Sequence, residues 1–185
     1  MAAPSRLERP AFYALRPGGW RDALTLLHPP YTAWHLSYVA IGAAIAPRFY
    51  GNRLLWALLA FLLAVGVAAH ALDELHGRPL ETRVSSRMLA TAATLSLAGA
   101  STIGVVSALT ISLSLLAFVL AGIVLALAYN LELFGGRLHS DMWFALAWGA
   151  FPALTGYWVC SPQPRPAAIL VAAACFALSL AQRRL

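Results

Sequence analysis

The run MLATAATLSLAGASTIGVVSALTISLSLLAFVLAGIVLALAYNL, residues 88–131, contains no Asp, Glu, Arg or Lys. At about 20 residues per crossing it is long enough for two membrane helices joined by a tight turn. The whole chain has the same character. Of its 185 residues 61% are hydrophobic and 11% charged, at a mean hydropathy of +0.72, whereas about a quarter of the residues of a soluble domain are charged. The composition is that of an integral membrane protein.

Outward from this run lie further apolar stretches at 31–46, 54–72, 142–160 and 166–182. Together with 88–107 and 110–129 they predict an all-α bundle of six transmembrane helices in one domain, 31–182. An N-terminal segment, 1–30, precedes it and a short tail, 183–185, follows. The first and last stretches are short for a crossing, which tilt or local thinning accommodates. An even number of spans puts both termini on one side. Ten of the thirteen Arg then fall in the N-terminal segment, 73–87, 130–141 and the C-terminus, against Arg48, Arg53 and Arg165 opposite. The positive-inside rule makes both termini cytoplasmic, and the expected location is a plasma membrane of bacterial type.

All seven carboxylates, Glu8, Asp22, Asp73, Glu74, Glu81, Glu132 and Asp141, fall on that same side. Acidic residues contribute little to topology, so their asymmetry reads as a working surface. For Glu8 and Asp22 the ordinary polarity of loops is an equally good reading. A net charge of +6 and a pI near 10.0 would suggest nucleic acid in a soluble protein. Here the arginines flank spans and meet anionic headgroups, and the expected partner is membrane lipid, not nucleic acid.

Residues 1–30 are broken by Pro4, Pro10, Pro17 and Gly18-Gly19 and lack the apolar core of a cleavable signal peptide. Their segments AFYAL (11–15) and WRDALTLL (20–27) suggest an interfacial helix, after which HPP at 28–30 launches the first span. Gly149, Pro152 and Gly156 predict a kink in the fifth span, and the small residues of 91–104 predict close helix packing in the third. Cys160 and Cys175 are too far apart in depth to pair and read as packing residues.

Two polar blocks on the predicted cytoplasmic side carry the chemistry. HALDELHGRPLETR, 70–83, places His70, Asp73, Glu74 and His76 on one face if the second span continues as a helix. Carboxylates suit Mg2+, imidazoles suit Zn or Fe, and the forked donors of Arg78, Arg83 and Arg87 suit a diphosphate. A solvated loop with internal ion pairs is the commoner explanation of such a pattern. YNLELFGGRLHSDMW, 129–143, adds Tyr129, Asn130, Glu132, Arg137, His139 and Asp141 to the same rim. Two such rims over a bundle frame a mouth for an amphipathic ligand, head at the rim and tail between helices.

From these residues the chain resembles the UbiA superfamily of intramembrane prenyltransferases. The resemblance runs from HPPYTAWHLSYVAIGAAIA (28–46), through HALDELHGRPLETRVSS (70–86), to LALAYNLELFGGRLHSDMWFALAWGAFPALTGYWV (125–159), the strongest part. It implies the first two-thirds of that fold, binding a polyprenyl diphosphate and transferring the prenyl group to a lipophilic acceptor. It also implies Mg2+ bridging carboxylates to the diphosphate, with Asp73 and Glu74 as metal ligands and Asp73 and Tyr129 as catalytic residues. Arg78, Arg83, Arg137 and Asn130 would bind the substrate. The family's first motif has the form NDxxDxxxD. With its middle Asp on Asp73, the other key positions hold Ala69, His70 and Gly77. The family's last spans and second aspartate-rich loop have no counterpart before Leu185.

Three expectations follow. One is an active transferase, completed by a homo-oligomer or a second membrane subunit that supplies carboxylates. The second is a membrane protein that binds isoprenoid lipid without catalysis. The third is a different metal site built on His70, Asp73 and His76, with His35 or His139 as further ligands.

Overall fold

The computed structural model describes residues 11–184; expectations for Pro4, Glu8 and Pro10, and for Leu185, lie outside the described residues. Seven helices make up the fold there, one more than the six expected spans. The added one is α1 (Trp20–Leu26), a short helix in the N-terminal segment, while residues 11–15 form only a turn. The others are α2 (Pro29–Ala44), α3 (Gly51–Gly77), α4 (Ser86–Thr110), α5 (Leu115–Asn130), α6 (141–160) and α7 (Pro166–Gln182). Of these, α3 and α4 are long and apolar enough to cross a membrane.

Local chemistry sets the helix ends. Pro29 and Pro30 open α2, where a missing N–H costs nothing, and His28 before them takes a left-handed conformation at φ 45°. The Ser85 hydroxyl caps α4 by accepting from the Met88 N–H, and Ser140 caps α6 in the same way from Trp143. Ser112 and Ser114 share a hydroxyl hydrogen bond in the turn between α4 and α5, and the Trp158 indole N–H donates to Ser114 at 2.7 Å.

The charged block at 70–77 is not a loop. It forms the last two turns of α3, which ends only where Arg78 turns left-handed at φ 54° and ψ 43°. Upstream, Leu62–Ala69 winds as a π-helix. A second π-helical turn, Leu146–Ala150, stands in α6 just before Pro152, where the sequence predicts a kink. Proline has no N–H to offer the carbonyl four residues back, which is that of Trp148. The buried His35 ring meets this carbonyl instead, with Nδ1 2.8 Å from the Trp148 oxygen.

α2 and α6 cross at backbone contact. A Cβ on Gly42 would lie 1.9 Å from the Ala153 oxygen, and one on Gly156 would lie 2.0 Å from the Val39 oxygen. Only glycine permits this approach. Gly149 similarly admits the Cys175 carbonyl and the Ser179 side chain of α7. Cys160 and Cys175 are buried free thiols, and Cys175 packs beside Tyr38, Ala153 and Val171.

Candidate functional site

The polar side chains gather at one end of the bundle, where α3, α5 and α7 finish and α2, α4 and α6 begin. Glu74 is completely buried there. Its Oε2 accepts from the Leu80 N–H at 2.9 Å, and its Oε1 accepts from the Thr82 N–H and hydroxyl, both at 2.8 Å. Arg78 serves the same loop from the other side, donating to the Thr82 and Val84 carbonyls and the Ser86 hydroxyl. Asp22 joins α1 to this assembly by accepting from the Gly18 and Arg83 backbone N–H groups. The 78–86 loop is therefore folded over Glu74 and Arg78. Both side chains, expected to meet metal and diphosphate, spend their hydrogen-bonding capacity within the chain.

Asp73 differs from its neighbour. It is half-buried, and no hydrogen bond to its carboxylate occurs among the described residues. It lies within electrostatic reach of His139, Glu132 and His76, and of the Tyr13 and Tyr129 hydroxyls. The fold thus brings the 70–76 and 129–141 blocks together around this carboxylate. Tyr129 is buried, with its ring stacked on His139 at 4.4 Å and edge-on to Trp148 at 5.7 Å. The His139 Nδ1 lies 3.0 Å from the Tyr129 carbonyl, and Glu132 stands 4.0 Å from the same ring. Asp141 accepts from Arg183 at 3.0 Å.

The remaining candidates fall into two groups. Arg83 and Arg137 are exposed near this rim, with no side-chain partner among the described residues. Asn130 is buried and donates to the Ala126 carbonyl one turn back, so its amide N–H is used inside α5.

His70 and His76 do not come together. Six residues apart on a helix, they point about 120° away from each other. His76 is exposed, whereas His70 faces inward with Nδ1 3.2 Å from the Gly66 carbonyl. Among the described residues no group of three or more His, Cys, Asp or Glu side chains is arranged to hold a metal ion. Of the two carboxylates expected to ligate Mg2+, Glu74 is committed to the 78–86 loop and Asp73 alone is open to a ligand.

The sequence did not point to the pairing of His28 with His70. The two rings stack at 4.0 Å and 15°, and the Tyr13 hydroxyl lies 2.6 Å from His28 Nδ1. Burial holds the His28 imidazole down at about 4 against a slight upward pull from Glu74. The one signal was an imidazole placed directly before two prolines that force the chain to turn.

Below the rim an apolar cleft of about 110 Å³ opens between α3, α4, α5 and α6. Trp148, Val65, Leu97 and Ala126 line its near end, and Ala57, Ser107, Leu115 and Val159 its far end. Its polar side chains are Ser101, Ser107 and Thr155 alone. Trp148 separates this cleft from the Tyr129 ring. Asp73, Tyr129, Arg83 and Arg137 belong to the rim and stand outside the lining of this cleft. No family model matches the chain, and no curated protein or solved structure is detectably similar to it.

Proposed function

We propose that this chain is an integral membrane protein that binds an isoprenoid diphosphate, with its tail in the cleft below Trp148 and its head at Asp73. The membrane reading is supported by how little of the apolar helices the fold covers. A core helix of a soluble protein is mostly buried, yet the most apolar stretches of α3 and α4 are only 33% and 11% buried. Leu95 and Leu109 of α4 are 68% and 71% exposed. Such a surface needs hydrocarbon around it. In that setting six helices, α2 to α7, are membrane-embedded, and the polar rim faces the cytoplasm together with the arginine-rich ends.

The reaction that fits this arrangement, and that the resemblance to UbiA prenyltransferases implies, is prenyl transfer. The allylic C–O bond breaks with its electron pair leaving on diphosphate, the freed carbon bonds to a lipophilic acceptor, and the acceptor gives up a proton. When bound, Mg2+ would neutralise the departing diphosphate. Asp73 would hold that ion, and Arg83 and Arg137 would supply forked donors for phosphate oxygens. The resemblance gives Tyr129, whose buried ring packs against His139 and Trp148, the role of the aromatic group near positive charge developing on the allylic carbon. The observation carrying this reading is the uncommitted Asp73 carboxylate at the rim, on the end of the bundle toward which the Val65, Ala126 and Trp148 end of the apolar cleft lies.

A second reading, binding without turnover, is favoured by a specific feature. Glu74 and Arg78 are used up by the 78–86 loop, which removes one of the two carboxylates expected to hold the metal. Purified protein incubated with an isoprenyl diphosphate and Mg2+ separates the two. Diphosphate release that disappears in Asp73→Asn supports transfer. Mg2+-independent thermal stabilisation without release supports binding alone, and neither response would sink both.

A further inference from the structure

For a helix in contact with water, α1 is inside out. Of its three inward side chains two are polar: Asp22, 4% exposed, accepts from the Gly18 and Arg83 N–H groups, and buried Thr25 accepts from the Leu15 N–H at 3.0 Å. The third, Leu26, packs in a cluster with Ala71 and Leu72 of α3. The outward side chains are Trp20, Ala23 and Leu24 with Arg21 among them, and Trp20 is 70% exposed. A helix facing water carries the opposite pattern. Phe12, in the turn before α1, is also exposed, and its ring lies edge-on to Tyr13 at 5.1 Å. Tyr13 lies edge-on in turn to Tyr31 at 5.8 Å, in the first turn of α2, where Tyr31 and Trp34 are exposed as well. Charge follows the same division. Residues 11–28 hold Arg16, Arg21 and Asp22, and with Asp22 turned inward both exposed charges are positive. The Arg21 guanidinium stands 5.8 Å from the Trp20 ring centre.

From this arrangement we infer that residues 12–24 are a docking surface for anionic lipid headgroups, seated at the boundary between headgroups and acyl chains beside the start of α2. The inference rests on the membrane reading above and is independent of the chemistry at Asp73. The aromatic contacts set its depth. Phe12, Tyr13 and Tyr31 form a chain of rings that holds the segment level with the first turn of α2, where that helix enters the bilayer and aromatic rings are favoured. Trp20 and Leu24, four residues apart, share one face of α1 and reach the acyl chains, while Arg16 and Arg21 remain at the phosphates. Each arginine near the surface favours an anionic over a neutral lipid by about fivefold. A second copy of the chain fits this face less well, because pairing two such faces would also bring their arginines together. The seat bears on the rim, since the same segment is tied to the 78–86 loop through Asp22 and to His28 through Tyr13.

The test uses the full chain in nanodiscs, with Cys160→Ala and Cys175→Ala, and a fluorophore attached at Leu24→Cys, at Ala23→Cys or, for comparison, at Leu95→Cys of α4. Quenching is followed with lipids carrying a nitroxide at a shallow or a deep acyl position, under phosphatidylglycerol or phosphatidylcholine headgroups, and with acrylamide in the water. At 23 and 24 shallow nitroxides are expected to quench more than deep ones, and acrylamide weakly. The phosphatidylglycerol form should quench more than the phosphatidylcholine form at equal mole fraction, by about fivefold for each arginine engaged. Arg16→Gln combined with Arg21→Gln removes that advantage and leaves the shallow quenching. Quenching at 23 and 24 by acrylamide without lipid nitroxides, meaning water, overturns the inference. So does quenching by neither, meaning cover by protein such as a second copy, and so does equal quenching under the two headgroups. Lipid quenching at Leu95 with none at 23 and 24 removes this inference alone, whereas its loss at Leu95 removes the membrane reading with it.

Discussion

His28 and His70 stack face to face, with ring centroids 4.0 Å apart, and so join the turn before α2 to the last turns of α3. Glu74, Tyr13 and Tyr31 surround His28, and the Tyr13 hydroxyl meets its Nδ1. The His28 imidazole stays neutral down to a pH of about 4, against a usual value of 6.5.

That depression makes folding sensitive to acid in a defined window. Above pH 6.5 the imidazole is neutral in both folded and unfolded chains and contributes no pH dependence. Between 6.5 and about 4 the unfolded chain takes up a proton that the folded one refuses. Stability then falls with pH, by up to about 1.4 kcal/mol per unit, and levels off below 4. Thermal unfolding in detergent across pH 4 to 8 measures this slope. His28→Asn tolerates the left-handed backbone and removes this imidazole's share of the titration, so it lessens the slope over that window.

Glu74 is a structural carboxylate in its contacts, and its replacement should act on the loop first. Glu74→Gln keeps the size but presents an amide N–H2 to one of the donor groups of Leu80 or Thr82. A cost of about 1–3 kcal/mol is expected. Hydrogen exchange should report it as faster exchange at Leu80 and Thr82, with α5 and α6 unaffected. Unchanged protection there would show that the loop does not depend on this side chain.

His35 compensates for Pro152. With no proline N–H available to the Trp148 carbonyl, His35→Phe leaves that oxygen unpaired and should destabilise by about 1–3 kcal/mol. Pro152→Ala restores a backbone donor. In its presence the cost of His35→Phe should drop by half or more, a coupling that a double-mutant cycle of unfolding midpoints measures. Additive effects would mean that the two residues act independently.

The helices were legible because hydrophobic runs and their breaks depend on neighbours in sequence. Pro29 and Pro30, Pro166 and the serine caps mark starts that the chain itself announces. The charged end of α3 was harder to place. Its helix continues because Glu74 is neutralised by donors six and eight residues ahead, a pairing that no periodicity reveals. The candidate site divides in the same way. That the 70–76 and 129–141 blocks share one rim followed from helix alternation. Which carboxylate stays free did not, since Asp73 and Glu74 are adjacent and chemically alike and only the fold of the 78–86 loop distinguishes them. His28 stacked on His70, and His35 on the Trp148 carbonyl, are long-range contacts set by packing, and nothing local encodes them.

The most direct measurement is photo-crosslinking with a farnesyl diphosphate analogue that carries a diazirine on its terminal isoprene unit, followed by peptide mapping. Labels at Phe118, Gly122 or Phe151, competed by unlabelled farnesyl diphosphate, are expected of a tail held in the cleft with its head at Asp73. Labels confined to lipid-facing positions such as Leu95 and Leu109, or labelling that farnesyl diphosphate does not compete, would contradict it.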